Sequence, residues 1–284
     1  MQRRRLGRTG HESSVAILGG AAFWQATDEE AEAGLRLADD RGVNHLDIAP
    51  QYGDAEVRVG PHLPRVRDRW FVAGKTLRKH PDGVRAQLEE TLRRLQTDHL
   101  DLYQLHAVTS KDELEKRVAA AEVILKAREE GLVRHVGITG HDFGAPAAFV
   151  EALRRFDLDT VMFPVYGRMW ADPVYRSDAE ALLGVCAERD LGVMAIKAVA
   201  RRQWPEGERW ATSWYEPLAD AGAIQVAVNF TLSVEGVHAF CTPGDLGVLP
   251  LALDAAEGFT ALDQEQASGV LAAAGREEPI FPMP

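Results

Sequence analysis

Cysteine is scarce. The 284 residues contain two, Cys186 and Cys241, and neither sits in a closely spaced metal-type pair. Two distant thiols give no disulfide framework, so a stapled secreted scaffold and a zinc module are excluded and a reducing, cytoplasmic setting is expected. Long apolar runs are missing as well. No stretch approaches the ~20 apolar residues needed to cross a bilayer, and the basic start MQRRRLGRTG has no apolar run behind it, so it does not read as a signal peptide. Bases are outnumbered, 32 Lys and Arg against 43 Asp and Glu, for a formal net charge of −11. Such a field argues against nucleic acid or an anionic membrane as partner and suits a small-molecule enzyme. Low-complexity segments, short repeats and linkers are absent too. One unit over residues 1–284 is therefore expected, because α/β barrels reach this length as one domain.

What fills the chain is alternation. Strand-like segments begin near residues 15, 44, 70, 100, 133, 160, 193 and 237, and helix-like segments fall between them at 28–41, 55–63, 82–95, 111–130, 145–155, 178–189 and 224–232. In 82–95 the apolar residues Val84, Leu88, Leu92 and Leu95 recur at three-to-four spacing and share one face. Thr27 reads as an N-cap and Gly131 as a C-cap. Strands alternating with helices imply a parallel sheet, and eight such units imply a closed (β/α)8 TIM barrel. Residues 3–8 and 12–14 add an N-terminal β-hairpin beneath it.

Four polar residues sit at the ends of consecutive predicted strands. Asp47 and Tyr52 lie in HLDIAPQYGDAE, Lys75 in WFVAGKT and His106 in DLYQLHA. In such barrels catalytic groups project from the carboxyl ends of strands. Taken singly, Asp47 reads equally as a cap, Tyr52 as packing and His106 as a buried histidine bonded to backbone. Together they form a proton-transfer device: an ammonium stabilises phenolate, a carboxylate holds the ammonium, and an imidazole donates to a substrate oxygen. The longest irregular stretch, 198–217, carries Trp204, Trp210, Trp214 and Tyr215. It either shapes a substrate pocket, with Trp204, Trp214 and Tyr215 as binding residues, or merely covers the barrel edge.

With these motifs in this order, the chain resembles the aldo-keto reductase family over nearly its whole length. RRLGRTGHESSVAILGGAAF resembles that family's hairpin and first strand, GVNHLDIAPQYGDAEVRVG its aspartate–tyrosine stretch, and REEGLVRHVGITGH its junction into strand five. The resemblance implies Tyr52 as general acid, His106 as carbonyl-orienting group, Lys75 as the residue that lowers the tyrosine pKa, and Asp47 as its anchor. It also implies hydride transfer between a nicotinamide, NAD(P)(H), and the carbonyl or alcohol of a small aldehyde, ketone or sugar-like substrate. A side chain supplies no hydride, so a cofactor is required in any case.

The implied cofactor side consists of Asp47, Thr139, Gly140, Met162, Tyr166, Lys197, Thr242, Gly244, Asp245 and Asp254. Here the chain departs from the family. Gly140 stands where an asparagine amide is usual and Met162 where a glutamine is common, while Tyr166 is the candidate ring for the nicotinamide. Thr242-Pro243-Gly244 resembles the turn into a phosphate-binding helix, with Lys197 beside the pyrophosphate and Asp254 near the adenine. Asp245 follows Gly244, where a base usually clamps a 2′-phosphate; an acid there favours a ribose hydroxyl, so NAD(H) use is expected. Arg201 and Arg202 are further phosphate candidates. His135 and His141 have no partners that would complete a metal set, so no metal is expected; His141 reads as loop decoration in preference to a contact with substrate or cofactor, and Cys241 as a small apolar residue. The loop after His106 and the tail 277–284 are short, which predicts a site open on that side. A nucleotide-binding regulatory barrel with vestigial catalysis, and a lyase or isomerase using Tyr52 and Lys75, remain alternatives. Substrate identity and oligomeric state are not legible.

Overall fold

The computed structural model describes residues 1–281. An antiparallel hairpin opens the chain, β1 (Arg3–Arg5) against β2 (Glu12–Ser14). Its turn passes through Gly7 at φ 50°, where a side chain would run into the backbone at Leu191 and Gly192. That close approach seats Leu6 beneath the cylinder. Arg5 reaches Asp190, and Arg8 reaches Asp157 and Asp159, tying the hairpin down.

The cylinder follows: β3 (Ala16–Gly19), β4 (His45–Asp47), β5 (Phe71–Thr76), β6 (Leu100–Leu105), β7 (Val133–Thr139), β8 (Thr160–Pro164) and β9 (Gly192–Ile196). A small antiparallel pair comes next, β10 (Ala200–Arg202) and β11 (Glu216–Pro217). The last strand, β12 (Ala239–Cys241), pairs in parallel with both β9 and β3 and closes the eight-stranded barrel. Eight parallel strands with helices outside are the (β/α)8 architecture, with the hairpin at its base.

The helices are α1 (Asp28–Asp40), α2 (Ala55–Val59), α3 (Pro81–Leu95), α4 (Lys111–Glu115), α5 (Val118–Glu129), α6 (Ala145–Arg155), α7 (Gly167–Trp170), α8 (Pro173–Glu188), α9 (Ala221–Ser233), α10 (Leu249–Glu257) and α11 (Gln264–Ala274). Their starts obey local chemistry. Thr27 and Glu30 form a capping box on α1, and Asp172 caps α8 ahead of Pro173. That cap starts α8 five residues before the segment expected from periodicity. The single helix expected over 111–130 is two, broken at Lys116 and Arg117, where the buried Arg117 turns back to Glu113 (2.9 Å). The C-terminal helix α11 and the short α7 were not anticipated, and α10 was expected only from the resemblance, as the helix following Gly244. On α3, Val84, Leu88, Leu92 and Leu95 are buried against the sheet, each such side chain worth about 1.5–3 kcal/mol.

Inside the barrel the strands alternate with period two. On β5, Phe71 and Ala73 join an interior apolar cluster with Leu6, Ile17, Leu102, Met162, Met194, Ile196 and Ala239. The next interior position on β5 is Lys75. On β4 the interior series ends at Asp47, and on β6 it runs Leu102, Gln104, His106. The same parity that fills the lower barrel with hydrocarbon therefore delivers polar groups to its carboxyl end.

Candidate active site

Lys75 sits at the centre, 1% exposed. Its ammonium pairs with the Asp47 carboxylate and donates to the Tyr52 hydroxyl at 3.1 Å. The other Asp47 oxygen accepts from Gln104 Nε2 (3.2 Å), and Gln104 Oε1 accepts from Thr139 Oγ1 (2.9 Å). Lys75, Asp47, Gln104 and Thr139 thus each have a partner, as burial demands. Tyr52 comes from the turn before α2, and its ring lies edge-on to His106, centroids 6.1 Å apart. His106 Nδ1 meets Gln51 Oε1 at 3.2 Å and its Nε2 lies 3.1 Å from His141 Nε2. The four sequence-predicted residues Asp47, Tyr52, Lys75 and His106 are thus brought together at one mouth.

That mouth opens into a cavity of about 470 Å³. Besides these residues, Trp24, Gln51, Thr139, His141, Met162, Lys197, Arg209, Trp214, Tyr215, Cys241, Thr242, Gly244 and Phe281 line it. The aromatic stretch is not structureless: β10 and β11 pair at its base and project Arg209–Tyr215 over the opening.

Electrostatics set the protonation states. Burial is the largest single influence on Lys75 and would lower its pKa, but the Asp47 charge, joined by Tyr52, Cys241 and the Asp47 hydrogen bond, outweighs it and holds the ammonium above its usual range. Burial raises the Asp47 carboxyl, while Lys75 and Gln104 oppose the rise. Burial pushes the Tyr52 hydroxyl up to about 12, with the Lys75 charge pulling against it. Lys75 therefore lowers the phenol only relative to what burial would impose; the net direction is upward, contrary to the sequence-based expectation. Burial and then nearby positive charge, chiefly Lys75 for His106 and Lys197 for His141, push both imidazoles well down and leave them neutral.

Lys197 brings a second amine to the cavity wall. Its amine lies 4.2 Å from the Trp214 ring centroid and 4.9 Å from that of Tyr215, and no carboxylate pairs with it among the described residues. Burial, reinforced by the Lys75 charge, pushes it down to about 7. Its backbone is left-handed at φ 71°, a costly conformation for a branched-off side chain and a frequent mark of functional sites.

Residues 16–207 match the family model described as Aldo/keto reductase family. The chain belongs to the aldo-keto reductase family. It is 31% identical over 210 residues to the D-threo-aldose 1-dehydrogenase of a Pseudomonas species, covering 62% of this chain and 61% of that protein. It is 31% identical over 152 residues to methylglyoxal reductase YeaE of Escherichia coli strain K12, covering 50% of this chain and 51% of the relative. The chain thus spans between half and two thirds of the length of these curated relatives. The holo form of an aldo-keto reductase from Bacillus halodurans aligns with TM-score 0.73 over 96% of both chains at 22% identity, a likeness of fold.

Against that family background, the positions expected on the cofactor side divide. Thr139, Met162, Lys197, Thr242 and Gly244 line the cavity. Gly140 does not: a Cβ there would collide with the Val108 carbonyl and approach Ala145 Cβ at 2.7 Å, so no amide-bearing residue fits. Tyr166 is buried away from the cavity, whereas the Tyr215 ring lines it. Asp245 is engaged elsewhere. One carboxylate oxygen accepts from Thr212 N (2.7 Å) and Thr212 Oγ1 (3.0 Å), and the other from Val248 N (2.9 Å), which latches the aromatic loop. The helix after Gly244 begins only at Leu249. Asp254 lies outside, paired with Arg41.

On the substrate side, Trp214 and Tyr215 face the cavity, whereas Trp204 does not; its indole N–H donates to Ser213 O (2.7 Å) and braces the loop. Arg201 and Arg202 both pair with Glu216. The tail is less remote than expected. Phe281 packs on Trp214, centroids 5.6 Å apart, and closes part of the mouth; residues 282–284 lie outside the described residues. The sequence-based reading singles out none of Gln51, Gln104 and Arg209, and it gives His141 as loop decoration. Gln104 carried a usable signal, since it stands two residues before His106 on the same strand face. Among the described residues no cluster of three or more metal-type ligands occurs, and no helix is long and apolar enough to cross a membrane.

Proposed function

We propose that this aldo-keto reductase is an NAD(P)(H)-dependent oxidoreductase that interconverts the carbonyl and alcohol of a small aldehyde, ketone or sugar-like substrate, with Tyr52 as general acid and base. The observation that carries the proposal is the Lys75 ammonium 3.1 Å from the Tyr52 hydroxyl, beside His106, at the wall of one cavity.

The residues fit a dinucleotide. An ammonium with no carboxylate partner, Lys197, faces the cavity together with the Gly244 turn and the Tyr215 ring, a combination suited to an anionic group joined to a flat heterocycle. When bound, the nicotinamide supplies or accepts the hydride.

The chain's own residues do the rest. His106 holds the substrate oxygen near Tyr52. A phenol with a pKa pushed up to about 12 is fully protonated at neutrality, so it enters reduction as the donor. As the carbonyl oxygen gains charge it becomes far more basic than a phenolate, and the proton moves to it from the Tyr52 oxygen. The remaining phenolate is met by the fixed charge of Lys75, preorganised by Asp47 at no cost during reaction. Proton transfer of this kind contributes about 100- to 10,000-fold. Trp214, Tyr215 and Phe281 exclude water and shape the substrate end.

NAD(H) is the proposed dinucleotide, since no base follows Gly244. Arg209 reaches the cavity from the aromatic loop and is a base placed to change that preference. A binding-only reading has one observation in its favour, the lack of room for an amide at Gly140. One assay separates the readings: mix the purified protein with NADH or NADPH and an aldehyde panel and follow the reduced nicotinamide by absorbance. Oxidation that is lost in Tyr52→Phe supports the redox assignment. Tight nucleotide binding with no turnover supports the binding-only reading, and product formed without nucleotide supports a lyase or isomerase.

A further inference from the structure

His141 follows β7 by two residues and reaches across the cavity to the imidazole of His106. The two Nε2 atoms are 3.1 Å apart, with rings inclined at 63°. His141 Nδ1 is buried with no hydrogen-bond partner among the described residues, so this contact at Nε2 is the only hydrogen bond its ring makes there. A contact between two neutral imidazole nitrogens holds one N–H and one lone pair. A substrate carbonyl that takes the N–H of His106 breaks it. His106 then needs a donor at Nδ1, which Gln51 provides by a half-turn of its amide. His141 is left with neither nitrogen bonded, an unfavourable state for a ring at this depth. A plain aldehyde offers no remedy. A carbonyl compound with a second oxygen on the adjacent carbon does, because its two oxygens are spaced much like the two nitrogens they address.

We infer that His141 is a specificity-determining, substrate-contacting residue of this site, receiving the oxygen on the carbon next to the carbonyl, so that 2-oxygenated carbonyl compounds are preferred over plain ones. This rests on the redox reading above and narrows its substrate class. A 2-hydroxyl donates to the His141 lone pair; a 2-oxo group accepts from the alternative tautomer. The strong downward pull on both imidazoles agrees, since a neutral ring has both a donor and an acceptor to offer. His141 also lines the cavity, so a ligand there meets it directly.

The test compares 2-hydroxypropanal, methylglyoxal and propanal as substrates. Wild-type protein shows kcat/KM for either oxygenated compound at least about tenfold above that for propanal. His141→Phe lowers the ratio of kcat/KM for either oxygenated substrate to that for propanal by about tenfold or more. His141→Gln, which keeps a donor and an acceptor, recovers part of the loss. An equal fall for all three would overturn the inference, because His141 would then act only through His106. A second readout does not need turnover. Hydroxyacetone, but not acetone, shifts the ¹⁵N signal of His141 in the wild-type protein, assigned by its loss in His141→Gln. If hydroxyacetone leaves that signal unmoved, the inference fails even in an active enzyme. A protein that shows the shift yet oxidises neither NADH nor NADPH would sink the redox reading instead.

Discussion

Asp47→Asn is the perturbation that bears hardest on the Lys75 pair. The substitution keeps the shape and keeps an acceptor for Gln104 and Lys75, but it removes the charge that holds a lysine 1% exposed. Two unit charges about 4 Å apart at an effective dielectric near 20 attract by about 4 kcal/mol, and breaking a buried pair typically costs about 3–5 kcal/mol. The asparagine carbonyl returns about 1 kcal/mol as a neutral acceptor, which leaves a loss of about 2–4 kcal/mol at pH 7. For a chain of this size that lowers Tm by roughly 3–7 °C. The pH dependence carries the sign. In the wild type, Lys75 is raised above its unfolded value, so its contribution is fully present below that value and is lost only as pH rises through the higher folded one. In the variant, burial without Asp47 depresses the lysine, so the unfolded chain binds the extra proton and stability climbs as pH rises from neutrality toward 10. Urea unfolding of both proteins between pH 7 and 10 therefore converges at the alkaline end. Equal stability at pH 7, or parallel curves, would refute the claim that Asp47 keeps Lys75 charged.

Other outcomes follow from the same geometry. Asp245→Ala removes the acceptor for Thr212 and Val248 and frees the aromatic loop; limited proteolysis within 204–215 accelerates and nucleotide binding weakens several-fold, whereas an unchanged cleavage rate would show that the latch holds nothing. Affinity of the free protein for NADH declines as pH rises through about 7, where Lys197 loses its charge, and Lys197→Met abolishes that slope in a fluorescence titration; an identical slope in the variant would assign it to another group. Arg209→Ala leaves kcat/KM with NADH within about twofold, and a loss confined to NADPH would identify Arg209 as a 2′-phosphate clamp and reverse the proposed preference.

Much of the barrel was legible because its signals are local. Strand β6 over 100–105 and helix α6 over 145–155 follow hydrophobic period and length alone. Asp47, Lys75 and His106 were visible because parallel strands place their carboxyl ends at one rim, so sequence position stands in for spatial position. The same parity would have found Gln104. What stayed hidden depends on contacts between distant segments. Asp245 looks like a ligand for ribose until Thr212, 33 residues away, occupies it. Asp254 looks like an adenine contact until Arg41 claims it. His141 looks like loop decoration until the barrel closes and sets it against His106. Tyr52 looked like an acidified phenol because the sign of a neighbouring charge can be read from sequence, whereas the depth of burial that outweighs it cannot.

The central claim is that the Tyr52 oxygen passes a proton to substrate while Lys75 stabilises what remains. Stopped-flow single turnovers with NADH and an aldehyde that the enzyme reduces measure that step apart from binding and release. The account predicts that Tyr52→Phe slows nicotinamide oxidation by about 100- to 10,000-fold while the nucleotide dissociation constant changes less than about threefold. Oxidation in Tyr52→Phe at a rate near that of the wild type would contradict it.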